Sequence, residues 1–173
     1  MNSLSSFIVI VFLSLDAAYA NSSCSEKTEM VIVNGDSMSP LLKSGQELKV
    51  DKNYYACKAP HRGDIIIFEI AGRKNQVIKK IFGIAGDKFE YKDKKILING
   101  KPLQNSAKQA YEIDSKMLKL YADSYPVIPE NSYLVLGDNS SGSFDASRFG
   151  FIDRKQIVGR VILQSKFSPN SQP

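Results

Sequence analysis

Short apolar runs rich in Ile, Val, Phe and Tyr, each stopped by turn-forming residues, restrict this chain's choice of fold more than anything else in it. They lie at 30–33, 47–50, 64–70, 76–84, 88–91, 95–98, 133–136 and 157–164. Ser44-Gly45, Arg62-Gly63-Asp64, Ala71-Gly72, Gly86-Asp87, Asn99-Gly100 and Gly137-Asp138 punctuate them. β-Branched and aromatic side chains pack well on a pleated sheet, and Gly, Asn and Asp supply the backbone angles of tight turns. Ile96-Leu97-Ile98 leading through Asn99-Gly100 into Lys101-Pro102-Leu103 predicts a hairpin, because Asn-Gly accepts two successive positive φ angles. No stretch keeps an amphipathic helical period for three turns. The expected fold is mostly β, with one domain over residues 28–164. Residues 104–126 form an excursion from the main sheet, either a hairpin or a short helix, and 165–173 form a frayed tail.

The N-terminus differs in character. Phe7 to Leu13 is unbroken apolar sequence, flanked by Leu4 and Leu15 and ended by Asp16, with no Lys or Arg before Lys27. A membrane-crossing helix needs about 20 apolar residues, and this run is shorter. Ala18-Tyr19-Ala20 is the small-x-small ending of a secretory signal. Residues 1–20 therefore read either as a cleaved signal peptide or as a retained membrane anchor, and both place the rest of the chain outside the cytoplasm. Cys24 and Cys57 can pair in such an oxidising compartment, closing a loop of about 34 residues for roughly 3–4 kcal/mol; two unrelated thiols are the alternative. The net charge of +5 is spread over scattered lysines with no basic arm, so nucleic acid is not an expected partner. An anionic membrane surface and a plain solvated lysine surface both remain open. Nothing calls for a cofactor, and with a single histidine no metal site is expected.

Ser37 lies in Gly35-Asp36-Ser37-Met38-Ser39-Pro40, where Gly35 permits a close turn and Pro40 fixes the exit. A serine hydroxyl becomes a useful nucleophile only with a base beside it and N–H donors for the oxyanion. A polar turn without chemistry has the same composition. Lys79 and Lys80 sit in Val77-Ile78-Lys79-Lys80-Ile81-Phe82, one on each face of a strand whose faces are otherwise apolar. At least one ammonium is thus expected close to desolvated surroundings, which favour the neutral amine and make it a base. Lysine stems lying along a sheet edge with their charges in water are the alternative. His61, in the turn Ala59-Pro60-His61-Arg62-Gly63, reads as a surface residue rather than a catalytic base.

Four blocks in order resemble the type I signal peptidases: Gly35 to Pro40; Arg62-Gly63-Asp64-Ile65-Ile66-Ile67-Phe68; Ile78 to Asp87; and Gly137-Asp138-Asn139 with Ser143, Asp145, Arg148 and Gly150. The resemblance implies an antiparallel β-sheet domain held at a membrane, on the extracytoplasmic side. It implies Ser37 as nucleophile and Lys79 as general base, with Ser143 orienting the lysine and Asp145 and Arg148 holding the surrounding shell as an ion pair. Substrates would be preproteins with small residues such as Ala before the cut, and Met38 would touch lipid or substrate. Some members carry a serine where Gly35 stands, so the oxyanion hole here would rest on the Ser37 N–H and a further backbone or water donor. Between Asp145 and Arg148, Ala146-Ser147 makes the spacing one residue longer than in the family. The Ser143-Phe144-Asp145 and Phe149-Gly150 texture is similar to the branch that matures pilin subunits in conjugative transfer, so prepilins are the alternative substrates. Two further readings are a self-cleaving Ser/Lys repressor, which would need an N-terminal DNA-binding segment, and a non-catalytic extracytoplasmic β-domain.

Overall fold

The computed structural model describes residues 25–163. Its main sheet has seven strands: β1 (Thr28–Ile32), β2 (Glu47–Asp51), β3 (Ile65–Phe68), β4 (Val77–Gly83), β8 (Ser132–Leu136), β9 (Ile152–Asp153) and β10 (Ile157–Ile162). Their spatial order is β1-β2-β10-β3-β4-β8-β9, and every neighbouring pair is antiparallel. A second sheet, β5 (Phe89–Lys92), β6 (Lys95–Ile98) and β7 (Lys101–Pro102), is a three-stranded meander.

β3 is the middle strand of the large sheet, and all four of its residues are buried. Side chains alternate across a strand, so the uninterrupted Ile-Ile-Ile-Phe run feeds two cores. Ile65 and Ile67 pack with Met38, Leu42, Leu48, Val50 and Val161 on one face. Ile66 and Phe68 pack with Tyr55, Ile81, Val135 and Ile152 on the other. A third core joins Phe82, Leu134 and Leu136 to Phe89, Ile96 and Ile98, and so fastens the small sheet to the large one.

The Asn99-Gly100 turn forms as expected: φ is +52° and +75°, and Ile98 pairs with Lys101 across it. Asp93-Lys94 makes a second two-residue turn between β5 and β6, with φ of +51° and +61°. The excursion contains a nine-residue helix, α1 (Lys116–Ser124). Ser115 caps it, accepting the Leu118 N–H at 3.1 Å while donating its own hydroxyl to the Ser147 carbonyl at 2.6 Å. Ser147 lies in the single-turn helix α2 (Ala146–Phe149), so the cap also ties the excursion to the last sequence block. No helix among the described residues is long and apolar enough to cross a membrane.

Candidate active site

The chain leaves β1 and turns at Gly35, whose φ of +82° suits a residue without a side chain. The Gly35 N–H donates to the Ser44 hydroxyl at 3.2 Å, and the half-buried Ser37 follows. The segment after β8 holds this turn from the far end of the sequence. The Asn139 N–H donates to the Ser37 carbonyl at 3.1 Å, and the Leu41 N–H donates to Asp138 at 3.2 Å. Asp138 is fully buried and also accepts the Ser106 N–H at 2.9 Å and the Ser106 hydroxyl, so the excursion braces the Ser37 turn through one carboxylate. Among the described residues the Ser37 N–H has no hydrogen-bond partner.

Lys79 comes from β4, paired in register with Ile66. Its side chain is buried, with 2% of the residue exposed, and its Nζ donates to the Ser37 Oγ at 2.7 Å and to the Ile78 carbonyl at 2.8 Å. Burial pushes the amine down from 10.5 to about 8; the Asp145 carboxylate opposes that and the Arg73 guanidinium adds to it. Lys80 is half-buried instead, with its Nζ 5.1 Å from the centre of the Phe82 ring. Alternation alone cannot choose between neighbouring lysines on two apolar faces; the position of the Ser37 turn does.

Gly137 lies against this pair. A β-carbon there would stand 2.3 Å from both the Ser37 carbonyl oxygen and the Ser143 Oγ. Its N–H donates to Asp145 at 2.9 Å, and its carbonyl accepts the Tyr111 hydroxyl at 2.7 Å. The cleft beside Ser37 and Lys79 holds about 250 Å³ and is walled by Ile32, Asn34, Arg73, Gln76 and Phe144. A more open groove runs from Ser37 past Ser143 and Phe144 to Arg148. Among the described residues no group of three or more His, Cys, Asp or Glu side chains is arranged to hold a metal ion.

With this geometry in view, the likenesses to known proteins are specific. A family model described as signal peptidase, peptidase S26, matches residues 4–165. The chain belongs to this family. It is 34% identical over 157 residues to signal peptidase IB of Staphylococcus aureus (strain Mu50), covering 82% of this chain and 81% of that one. Signal peptidase I of Bacillus caldolyticus is 34% identical over 137 residues, covering 75% of each. A crystal structure of a signal peptidase I from Enterococcus faecalis is 32% identical, covers 61% of this chain and 98% of its own, and superposes with a TM-score of 0.48.

Several expectations drawn from the signal peptidase resemblance need correction. The Ser143 Oγ is buried but makes no hydrogen bond to Lys79 or to any other described residue, because the lysine's contacts go to Ser37 and Ile78. Asp145 and Arg148 do not pair. The carboxylate is taken by the Gly137 and Ser147 N–H groups, the second at 3.0 Å, and so caps α2, while Arg148 one turn on is exposed in the open groove. Met38 is not a surface contact: only 1% of it is exposed, and it packs with Val33, Leu42 and Leu48. Ser37 opens to the cleft and the next residue turns inward. Ile32 and Phe144, which wall the cleft, are the exposed large apolar side chains there, while Met30 and Leu163 are exposed together in a separate groove beside β2. Cys57 is disulfide-bonded, and the sequence's other cysteine, Cys24, lies outside the described residues, as do residues 1–20 and 165–173. His61 is exposed in its turn. Arg73 had no distinct sequence signal, and Phe144 and Asp138 entered only as members of the last block, without the cleft-wall and bracing roles seen here. Arg73 sits in an ordinary Gly-Arg-Lys-Asn turn, and Asp138 is one of four Asp residues that follow a glycine.

Proposed function

We propose that this chain is a membrane-associated serine endopeptidase that removes N-terminal signal peptides from exported proteins. In this reading Ser37 is the nucleophile and Lys79 the general base. The observation that carries it is the 2.7 Å separation of a buried lysine amine and a serine hydroxyl, within the reach that proton transfer requires. Uncharged Lys79 takes the Ser37 proton as the Oγ attacks the scissile carbonyl. The negative charge that develops on the carbonyl oxygen is met by the Ser37 N–H. The Lys79 ammonium then gives its proton to the leaving amine, and an acyl-enzyme remains. Lys79, neutral again, takes a proton from water as the oxygen of that water attacks the ester carbonyl, and the Lys79 ammonium then returns the proton to the departing Ser37 Oγ, releasing the acid and regenerating both groups. Family membership favours preproteins with small residues before the cut and a catalytic domain on the extracytoplasmic side of the membrane. The exposed Met30, Ile32 and Leu163 fit work near a lipid surface.

The test is incubation of the full chain with a panel of preproteins and one prepilin, read by mass spectrometry of the new termini. Cleavage after small residues is expected, and either Ser37→Ala or Lys79→Ala should lower it by about 10⁴-fold or more. Processing at the wild-type rate by either variant contradicts the assignment. Cutting confined to the prepilin would mark a dedicated pilin peptidase.

A further inference from the structure

The turn between β3 and β4 carries Arg73, whose N–H closes the turn on the Ile70 carbonyl at 3.0 Å. Its guanidinium carbon lies 3.6 Å from the centre of the Phe144 ring, on the wall of the cleft that holds Ser37 and Lys79. Phe144 is itself held in place: its ring meets Phe149 at 5.3 Å, and Phe149 meets the fully buried Phe68 at 6.0 Å. A row of rings thus runs from the sheet core to the cleft rim and ends on a cation.

A guanidinium resting on an aromatic face uses its own flat face for the contact and keeps its edge N–H groups free, oriented for a carboxylate. Arg62 and Arg160 spend theirs on Asp87 at 2.6 Å and Asp64 at 2.9 Å. Among the described residues Arg73 has no such acceptor, and the nearby Asp145 carboxylate is committed to the Gly137 and Ser147 N–H groups. Lys79 must be uncharged to act as base, so Arg73 is then the standing positive charge of this cleft. At about 250 Å³ the cleft falls below the usual size of small-ligand pockets and suits single side chains of an extended peptide.

We propose that Arg73 is a specificity-determining residue, positioned by Phe144 to bind the carboxylate of an Asp or Glu side chain in the substrate close to the bond that is cut. The inference rests on the proteolytic reading and adds to it a preference that small residues before the cut do not supply.

The experiment uses the full chain in detergent micelles and peptide substrates matched in all but one position, Glu against Gln, scanned through the residues on both sides of the cut. At one position Glu should raise kcat/KM roughly five- to tenfold over Gln, mainly through KM. Arg73→Gln should bring that ratio to unity, Arg73→Glu should reverse it in favour of a Lys peptide, and Phe144→Leu should reduce it while leaving the charge in place. Cleavage of the Gln peptides with no Glu preference at any position, or a preference that survives Arg73→Gln, overturns this inference alone. If the wild type cuts none of the peptides and matches Ser37→Ala, the proteolytic reading falls and takes this inference with it.

Discussion

The place a β-carbon would take on Gly137 lies 2.3 Å from the carbonyl oxygen of Ser37, so the strand end after β8 and the Ser37 turn approach too closely for a side chain between them. The obstacle is backbone, which cannot swing aside as a side-chain tip would. Gly137→Ala should therefore displace the turn, lowering kcat/KM by about 100-fold and stability by about 1–3 kcal/mol. Steady-state kinetics and thermal unfolding of the variant check both.

Activity should follow the deprotonation of Lys79. The plot of kcat/KM against pH reports groups in the free enzyme, so its acidic limb is expected near pH 8. Arg73 disfavours the ammonium and Asp145 favours it. Arg73→Gln should move the limb to higher pH and Asp145→Asn to lower pH. Shifts of the same sign would contradict the account.

The lowered lysine also predicts a cost in stability. Below pH about 8 folded and unfolded chains both hold the proton, and the folded state bears the full penalty of a buried charge. Between about 8 and 10.5 the folded state releases the proton first, so this contribution improves as pH rises through that window. The gap corresponds to roughly 3 kcal/mol. Lys79→Met should abolish cleavage yet unfold at higher temperature at pH 6, with a net gain of about 1–2 kcal/mol after the lost hydrogen bonds. That gain should shrink as pH rises toward 10.5.

Asp138 joins three separate segments, so its loss should be felt in all of them. Asp138→Ala removes the charged acceptor of the Leu41 and Ser106 N–H groups and of the Ser106 hydroxyl, all in part-buried bonds, at about 1.5–3 kcal/mol. Ser106→Ala, outside the cleft, should cost about 1–2 kcal/mol and lower kcat more than it raises KM. Denaturant unfolding and kinetics on both variants test this.

The strands were legible because β3 is an unbroken Ile-Ile-Ile-Phe run and its neighbours are rich in Ile and Val, and the Asn99-Gly100 turn because its two φ values suit few other pairs. Asp93-Lys94 adopts the same turn with a lysine at +61°, a conformation its composition does not announce. α1 could not be told from a hairpin because its nine residues bury only Leu118 fully and are too few to sustain a helical period over three turns. Within the site, the turn and the strand were each visible, but their meeting depends on the sheet order that brings residues 37 and 79 together. Ser143, Arg148 and Met38 show the limit of motif reasoning. A motif does not say that the Gly137 and Ser147 N–H groups take the Asp145 carboxylate or that Met38 turns into the core.

Direct titration of the Lys79 amine tests the central claim most closely. In full-length protein labelled at lysine, the Cε and Nζ resonances of Lys79, assigned by their loss in Lys79→Met, should shift with a midpoint near pH 8. A midpoint at the ordinary lysine value of 10.5 would mean a charged amine facing Ser37 at working pH, and the mechanism built on it would be wrong.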